Sequence, residues 1–218
     1  MSIDFERARR MMVDNQLRTS GIIDRRLLAA MGEVPRERFV PPARRVLAYT
    51  DAPHPLTALR SLGPPAPFAK LVQLAAVEHT DRVLDVGCGG GYSSAVLARL
   101  AASVVGVEDD PALAADARRA LAEIGASNAA VVEGDLERAA QSQGPFDVVV
   151  IEGTVPAVPE AYFDQLGAGG RLVALIAEHG KVPVAHLFAK SGQGIASRAD
   201  FDARLPPLRP VQDDSFVF

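Results

Sequence analysis

Residues Arg82–Glu108 read RVLDVGCGGGYSSAVLARLAASVVGVE. Arg82 to Val86 predicts a strand, with Val83, Leu84 and Val86 as its apolar and β-branched side chains. Asp85-Val86-Gly87-Cys88-Gly89-Gly90-Gly91 is a glycine-rich turn. A helix starts near Tyr92 or Ser93 and carries Ala95, Val96, Leu97 and Leu100 on its apolar side. Ser103 to Val107 predicts a second strand, which ends in Glu108. Strand, helix and parallel strand in so short a span make a βαβ unit. Such a unit takes its ligand beyond the carboxyl ends of its strands.

The chemistry of the turn narrows the ligand. Glycines let the backbone adopt positive φ and approach a ligand closely. Glu108 lies one strand–helix–strand length beyond the turn, where an acid meets ribose hydroxyls in folds of this kind. An adenosine-containing cofactor follows. The dinucleotide fingerprint G-x-G-x-x-G is not met, because its sixth position is Tyr92. No G-K-[ST] phosphate loop is present either.

The rest of the chain fits around this unit. Phe5, Ala8, Met12 and Leu17 have helical spacing up to Thr19-Ser20-Gly21. Asp24 can cap a second helix through Met31, and Pro35 ends it. Arg44 to Tyr49 predicts a further short helix. Prolines 53, 55, 64, 65 and 67 make residues 51–67 an irregular connector, with no regular structure expected before Phe68. Phe68 to His79 returns to helical spacing. After Glu108, Asp110-Pro111 opens a helix to Ile124. Strands are expected at Ala129 to Glu133, Phe146 to Ile151 and Arg171 to Ala177, with a short helix from Pro159 to Leu166. The Phe146 to Ile151 run, almost all apolar (VVVI), reads as buried on both faces. Later strands are expected at Val184 to Lys190, Ile195 to Phe201 and Ser215 to Phe218. This is an α/β fold: a doubly wound, mostly parallel Rossmann-like sheet with helices on both faces, an N-terminal helical cap and antiparallel C-terminal strands. The expected division is a cap and substrate-loop region over 1–62 and a cofactor domain over 63–218, packed as one unit.

Composition sets limits. The chain has 218 residues, 48% hydrophobic and 23% charged, with no apolar run near the ~18 to 20 residues of a membrane span. The N-terminus MSIDFERARR lacks an apolar signal core. One cysteine allows no intrachain disulfide and no metal cluster. The histidines His54, His79, His179 and His186 have no metal-ligand spacing and read as surface or loop residues. A cytoplasmic protein with no metal and no membrane contact is expected. Residues 1–60 carry eleven arginines against seven acids, while the whole chain is at −4. No nucleic-acid motif accompanies those arginines, so solvated helix faces are expected rather than a nucleic-acid partner.

An acid two residues before the first glycine, followed by G-x-G-x-G, resembles motif I of class I S-adenosylmethionine-dependent methyltransferases. Further stretches narrow the resemblance. Gln16-Leu17-Arg18-x-x-Gly21-Ile22-x-Asp24, Val34-Pro35-Arg36-Glu37-x-Phe39-Val40 and Ala48-Tyr49-x-Asp51 resemble the N-terminal signature of protein-L-isoaspartate O-methyltransferases. Gly91-Tyr92-Ser93-Ser94, Gly134-Asp135, Pro145-Phe146-Asp147 and Gln165-Leu166-x-x-Gly169-Gly170-Arg171 are similar to later stretches of that family.

The resemblance implies S-adenosyl-L-methionine as cofactor and the carboxylate of isoaspartyl residues in damaged protein or peptide as acceptor. It implies a monomer or weak oligomer. By resemblance, Asp85, Gly87, Cys88, Gly89, Gly91 and Tyr92 surround the methionine end of the cofactor. Glu108 and Asp109 take the ribose, and Gly134, Asp135 and Leu136 lie by the adenine. Leu62 and Glu152 complete the cofactor side. The family's substrate loop carries Thr-Ile-Ser-x-Pro, with a catalytic serine. Here the loop reads Ser61-Leu62-Gly63-Pro64-Pro65, so Gly63 stands at the serine position and Ser61 at the threonine position. Catalytic roles are therefore expected of Ser61 and the Gly63 backbone, and Arg60 is a candidate carboxylate partner. Glu152 is expected to place an extra carboxylate near the methyl-transfer site, repelling an anionic acceptor. Three readings remain open: isoaspartyl methylation, methylation of another acceptor, and a cofactor-binding module without catalysis.

Overall fold

The computed structural model describes residues 4–178 and 180–209. A seven-stranded sheet forms the centre, in the order β5-β4-β3-β6-β7-β8-β9. Its members are β3 (Arg82–Val86), β4 (Ser103–Glu108), β5 (Ala129–Glu133), β6 (Phe146–Val155), β7 (Leu166–Ile176), β8 (Val184–Ser191) and β9 (Gly194–Asp202). Strands β3 to β7 run parallel, and β8 and β9 are antiparallel. The chain winds outward from β3 to β5 and then returns to place β6 on the other side of β3. That reversal opens a crevice at the carboxyl ends of β3 and β6, the position where such sheets hold ligands.

The two-residue period of the strands divides the core. Val83, Val148, Val150 and Val173 face one side, with α3 (Pro65–Ala75), α4 (Tyr92–Leu97) and α5 (Pro111–Glu123) packed on them. Leu84, Val86, Val149, Ile151 and Leu172 face the other, against Tyr162 of α6 (Glu160–Asp164) and Leu136. Val148 to Ile151 are fully buried, as expected of a central parallel strand.

The N-terminal cap shares the first of these cores. It comprises α1 (Phe5–Met12), continued as a π-helix over Val13–Leu17, α2 (Arg25–Glu33), and 3₁₀ turns over Arg36–Phe39 and Pro42–Leu47. Asp24 caps α2 by accepting from the amides of Arg26 and Leu27. The Gln73 Oε1 of α3 accepts from the Ile23 and Asp24 amides at 2.8 and 3.1 Å, which fixes α2 to the domain. Tyr92 is the meeting point: its ring lies 5.6 Å from that of Phe39 in the cap and 5.9 Å from Phe68 of α3.

The structure differs from the sequence expectations in three places that matter for the site. Helix α3 starts at Pro65, not near Phe68, because a proline in the first turn gives up no hydrogen bond. The connector before it forms a short antiparallel hairpin of β1 (His54–Pro55) and β2 (Ser61–Leu62). Strand β6 runs past Ile151 to Val155, with a register irregularity between Val150 and Thr154. The expected strand at Ser215 to Phe218, and His179, lie outside the described residues. No helix among the described residues is long and apolar enough to cross a membrane.

Candidate functional site

The glycine turn sits at the crevice and is held by its own strands. The Gly87 and Cys88 amides donate to the carbonyl of Val107 on β4 at 2.9 and 3.2 Å. Gly91 begins α4 at φ 93°, and a Cβ there would meet the Cβ of Ala117 at 3.0 Å. Both conformation and space therefore require glycine. Cys88 is buried and its thiol is pushed up by burial, so it is a protonated, packed side chain.

Asp85 ends β3 beneath the turn and is fully buried. Its Oδ2 accepts from Ser93 Oγ at 2.7 Å and Ser94 Oγ at 2.5 Å, both at the start of α4. Its Oδ1 has no partner among the described residues. Burial pushes the carboxyl up to about 6; the two serine hydroxyls oppose that rise and Glu108 adds to it. A buried acceptor left open beside a glycine cradle suits a cationic ligand group, and the amino-acid end of S-adenosylmethionine carries one.

Glu108 ends β4 and is also fully buried. Its Oε2 accepts from the Gly89 amide at 2.8 Å, and its Oε1 from the amides of Asp109 and Asp110 at 3.1 and 3.0 Å. Arg60 completes the set, with Nε 3.2 Å from Glu108 Oε1 and Nη2 2.5 Å from Asp109 Oδ1. Arg60 is thus buried against acids of its own chain, and this corrects its assignment as an acceptor partner. Oε2 keeps one open lone pair, while Oε1 is crowded by three donors. A ribose that engages both oxygens must displace Arg60 from Oε1.

A strap crosses the crevice. Arg60 Nη1 donates to the carbonyl of Leu208. Thr154 on β6 pairs with the strap in both directions: its amide donates to Pro206 O at 3.0 Å and its carbonyl accepts from the Leu208 amide at 3.0 Å. The Leu208 side chain packs directly on Gly87, and its backbone packs on Gly153. Gly134, Asp135 and Leu136, expected by the adenine, follow β5. Leu136 is buried, and Gly134 donates from its amide to Glu108 O at 3.0 Å. Asp135 is exposed and caps the turn after β5 by accepting from the Glu137 amide.

The substrate side assembles from the hairpin, the cap and β6. Ser61 and Leu62 lie half-buried on β2, with Leu62 opposite His54. Leu205 fills the space beside Gly63, 2.5 Å from where a Cβ would stand. His54 is buried with both ring nitrogens unpartnered, which corrects its reading as a surface residue. Burial lowers its pKa, with the Arg36 charge adding to the effect, so it is neutral.

Arg36, which sequence reasoning passed over as part of a signature, is completely buried. Its Nε donates to Ala48 O at 2.7 Å and its Nη2 to Gly63 O at 2.5 Å. Its guanidinium stacks 4.7 Å above the Tyr92 ring. Glu152 on β6 has a buried Oε1 with no partner. Burial pushes its carboxyl well up, reinforced by Asp85 and opposed by Arg36. That shift favours the protonated carboxyl and weakens the repulsion of an anion expected from the sequence.

These residues bring together a βαβ crevice, an acid under a glycine cradle and an acid at the end of the second strand. The model of the Protein-L-isoaspartate(D-aspartate) O-methyltransferase (PCMT) family matches residues 7–204. The chain belongs to that family. Membership makes it an S-adenosylmethionine-dependent O-methyltransferase. "Protein-L-isoaspartate O-methyltransferase 2" of Anaeromyxobacter sp. (strain Fw109-5) is 39% identical over 94% of this chain and 84% of that protein. The protein of the same name from Marinobacter nauticus is 37% identical over 94% of each chain. Among solved structures, a protein-L-isoaspartate O-methyltransferase superposes with TM-score 0.79 at 26% identity, covering 91% of this chain and 65% of that one. A putative family protein from Plasmodium falciparum, solved with S-adenosyl-L-homocysteine, superposes with TM-score 0.78 at 21% identity over 92% of this chain and 98% of that one. The family match ends just before the Leu205–Leu208 strap.

The Asp85 carboxyl yields a pH prediction. A folded pKa raised to about 6 contributes stability below the unfolded value and loses it as pH rises through 6. A cationic ligand group prefers the ionised carboxylate. Affinity for S-adenosylhomocysteine is therefore expected to rise with pH up to about 6, by at most about tenfold per unit, and to level off above. Calorimetry between pH 5 and 8 checks this, and Asp85→Asn is expected to remove the slope.

Proposed function

We propose that this chain methylates the α-carboxylate of isoaspartyl residues in proteins or peptides. The reading is carried by the family match lying over a cofactor side in which Asp85, Glu108 and the glycines Gly87, Gly89 and Gly91 are present. S-adenosylmethionine supplies a methyl group already activated on a sulfonium.

The chain's own residues hold and shield the reactants. Asp85 and the glycine turn hold the amino-acid end of the cofactor, and Glu108 holds the ribose. A carboxylate acceptor is ionised at neutral pH and needs no general base. The work left is alignment at about 3 Å and exclusion of water. The cap, the hairpin and the strap supply the exclusion, since Arg36, His54, Tyr92 and Leu208 are all buried. A cleft of ≈ 680 Å³ between the Arg36–Phe39 turn and α5, walled in part by Leu56 and Gly90, offers a polypeptide a route to this region. Absence of a serine at Gly63 favours a second reading, in which the same fold serves another acceptor. The single cysteine, buried in the glycine turn, supports a cytoplasmic location.

The test is methyl transfer from labelled S-adenosylmethionine to an isoaspartyl peptide and to its normal aspartyl counterpart. Calorimetry with S-adenosylhomocysteine is run on the same sample. Turnover of the isoaspartyl peptide alone is expected. Cofactor binding with no turnover of either peptide would leave the second reading in place.

A further inference from the structure

Arg36 is a buried cation without an acid. It is fully buried, and it forms no ion pair among the described residues. Two of its nitrogens bond to backbone carbonyls, and the third, Nη1, has no partner. A buried charged donor left unpaired is costly, and such a group calls for an explanation. The Tyr92 ring beneath the guanidinium offsets part of that cost.

Its surroundings are incompletely bonded as well. The Tyr92 hydroxyl and Glu152 Oε1 are buried and have no partner among the described residues. Glu152 is the acid nearest in electrical effect, yet it stands outside ion-pair distance, and burial raises its pKa. Arg36, Tyr92 and Glu152 thus bring together three buried polar groups from the cap, α4 and β6 whose hydrogen bonding is incomplete among the described residues. The bond from Arg36 Nη2 to Gly63 O fixes this group against the loop position that lacks a side-chain donor.

We infer that Arg36 binds the carboxylate of the methyl acceptor through Nη1, in place of the missing loop hydroxyl. The inference rests on the carboxylate-acceptor reading above. It assigns the space beside Nη1 to a small anionic group. A guanidinium held by backbone carbonyls on two sides cannot swing away, so it positions the carboxylate rather than merely attracting it.

The experiment compares binding of an isoaspartyl peptide with binding of the same peptide carrying an α-amide. Both are titrated into the protein saturated with S-adenosylhomocysteine. The wild-type chain is expected to prefer the carboxylate by about 10- to 100-fold. Arg36→Gln is expected to lose that preference, while the amide peptide and S-adenosylhomocysteine bind within about twofold of wild type. Arg36→Lys, which keeps the charge but not the fork, is expected to recover part of it. Because Arg36 also fastens Ala48 and Gly63, Glu152→Gln serves as a variant outside that network. It leaves Arg36 and its two carbonyl bonds in place, so it is expected to keep the preference. Equal binding of the two peptides by wild type, or an unchanged preference in Arg36→Gln, would overturn the inference. So would a loss of S-adenosylhomocysteine affinity in step, which would place Arg36 on the cofactor. Wild-type preference for the carboxylate without turnover would instead count against the methylation reading alone.

Discussion

Glu108→Gln is expected to weaken S-adenosylhomocysteine binding by about 10- to 100-fold, the range of a lost charge-assisted hydrogen-bond set. It is also expected to lower the melting temperature by on the order of 10 °C. The binding effect follows from the carboxylate's role as acceptor for ribose hydroxyls. The stability effect follows from the donors already around it. Arg60 Nε and the amides of Gly89, Asp109 and Asp110 all point at Glu108. A glutamine brings its own NH₂ group into that ring, so at least one donor must face another donor. Arg60 then sits buried beside a neutral side chain. Breaking a buried ion pair from one side costs about 3 to 5 kcal/mol. Arg60 retains Asp109 and the Leu208 carbonyl, so the lower end applies. At about 2 to 4 °C per kcal/mol for a chain of this size, that gives the shift stated. Thermal unfolding and calorimetry on one preparation separate the two effects. An unchanged affinity in a destabilised variant would remove Glu108 from the ribose site.

The second large effect is a gain. Gly63→Ser restores the family's hydroxyl, and one positioned donor is worth on the order of 10²-fold in rate. The single variant is not expected to realise it. A Cβ at Gly63 would lie 2.5 Å from Leu205 Cδ2, so the serine and the strap compete for one volume. Gly63→Ser combined with Leu205→Ala frees that volume and is expected to raise isoaspartyl methyl transfer by about 10- to 100-fold. Leu205→Ala alone removes a buried leucine at about 2 kcal/mol and adds no donor. The rate of the double variant, set against both single variants, isolates the hydroxyl. A double variant no faster than wild type would mean that another group already does the serine's work, and Arg36 is the residue placed to do so.

The two sides of the site differ in how far they could be read from the chain. The glycine turn, Asp85 and Glu108 form a local pattern, because the βαβ unit builds its crevice from fewer than thirty consecutive residues. The caps at Asp24 and Asp110 and the late strands β8 and β9 were legible for the same reason. Capping and strand alternation are short-range effects, and they leave a mark on neighbouring residue types.

Partner choice was decided by the tertiary structure. Arg60 read as an open carboxylate binder, but folding places it on Glu108, 48 positions away, and on Leu208, 148 positions away. Glu152 read as an extra carboxylate repelling an anionic acceptor. In the folded chain its Oε1 is buried on β6 and desolvation raises its pKa. Arg36 was visible only as part of a signature, and its open Nη1 follows from the Ala48 and Gly63 carbonyls and the Tyr92 ring that fix its guanidinium. The sequence by itself determined the sheet, the cofactor cradle and the missing hydroxyl, because each is written in adjacent residues. Which charges are paired, neutral or left open depends on desolvation by distant segments, and that exists only once the chain has folded.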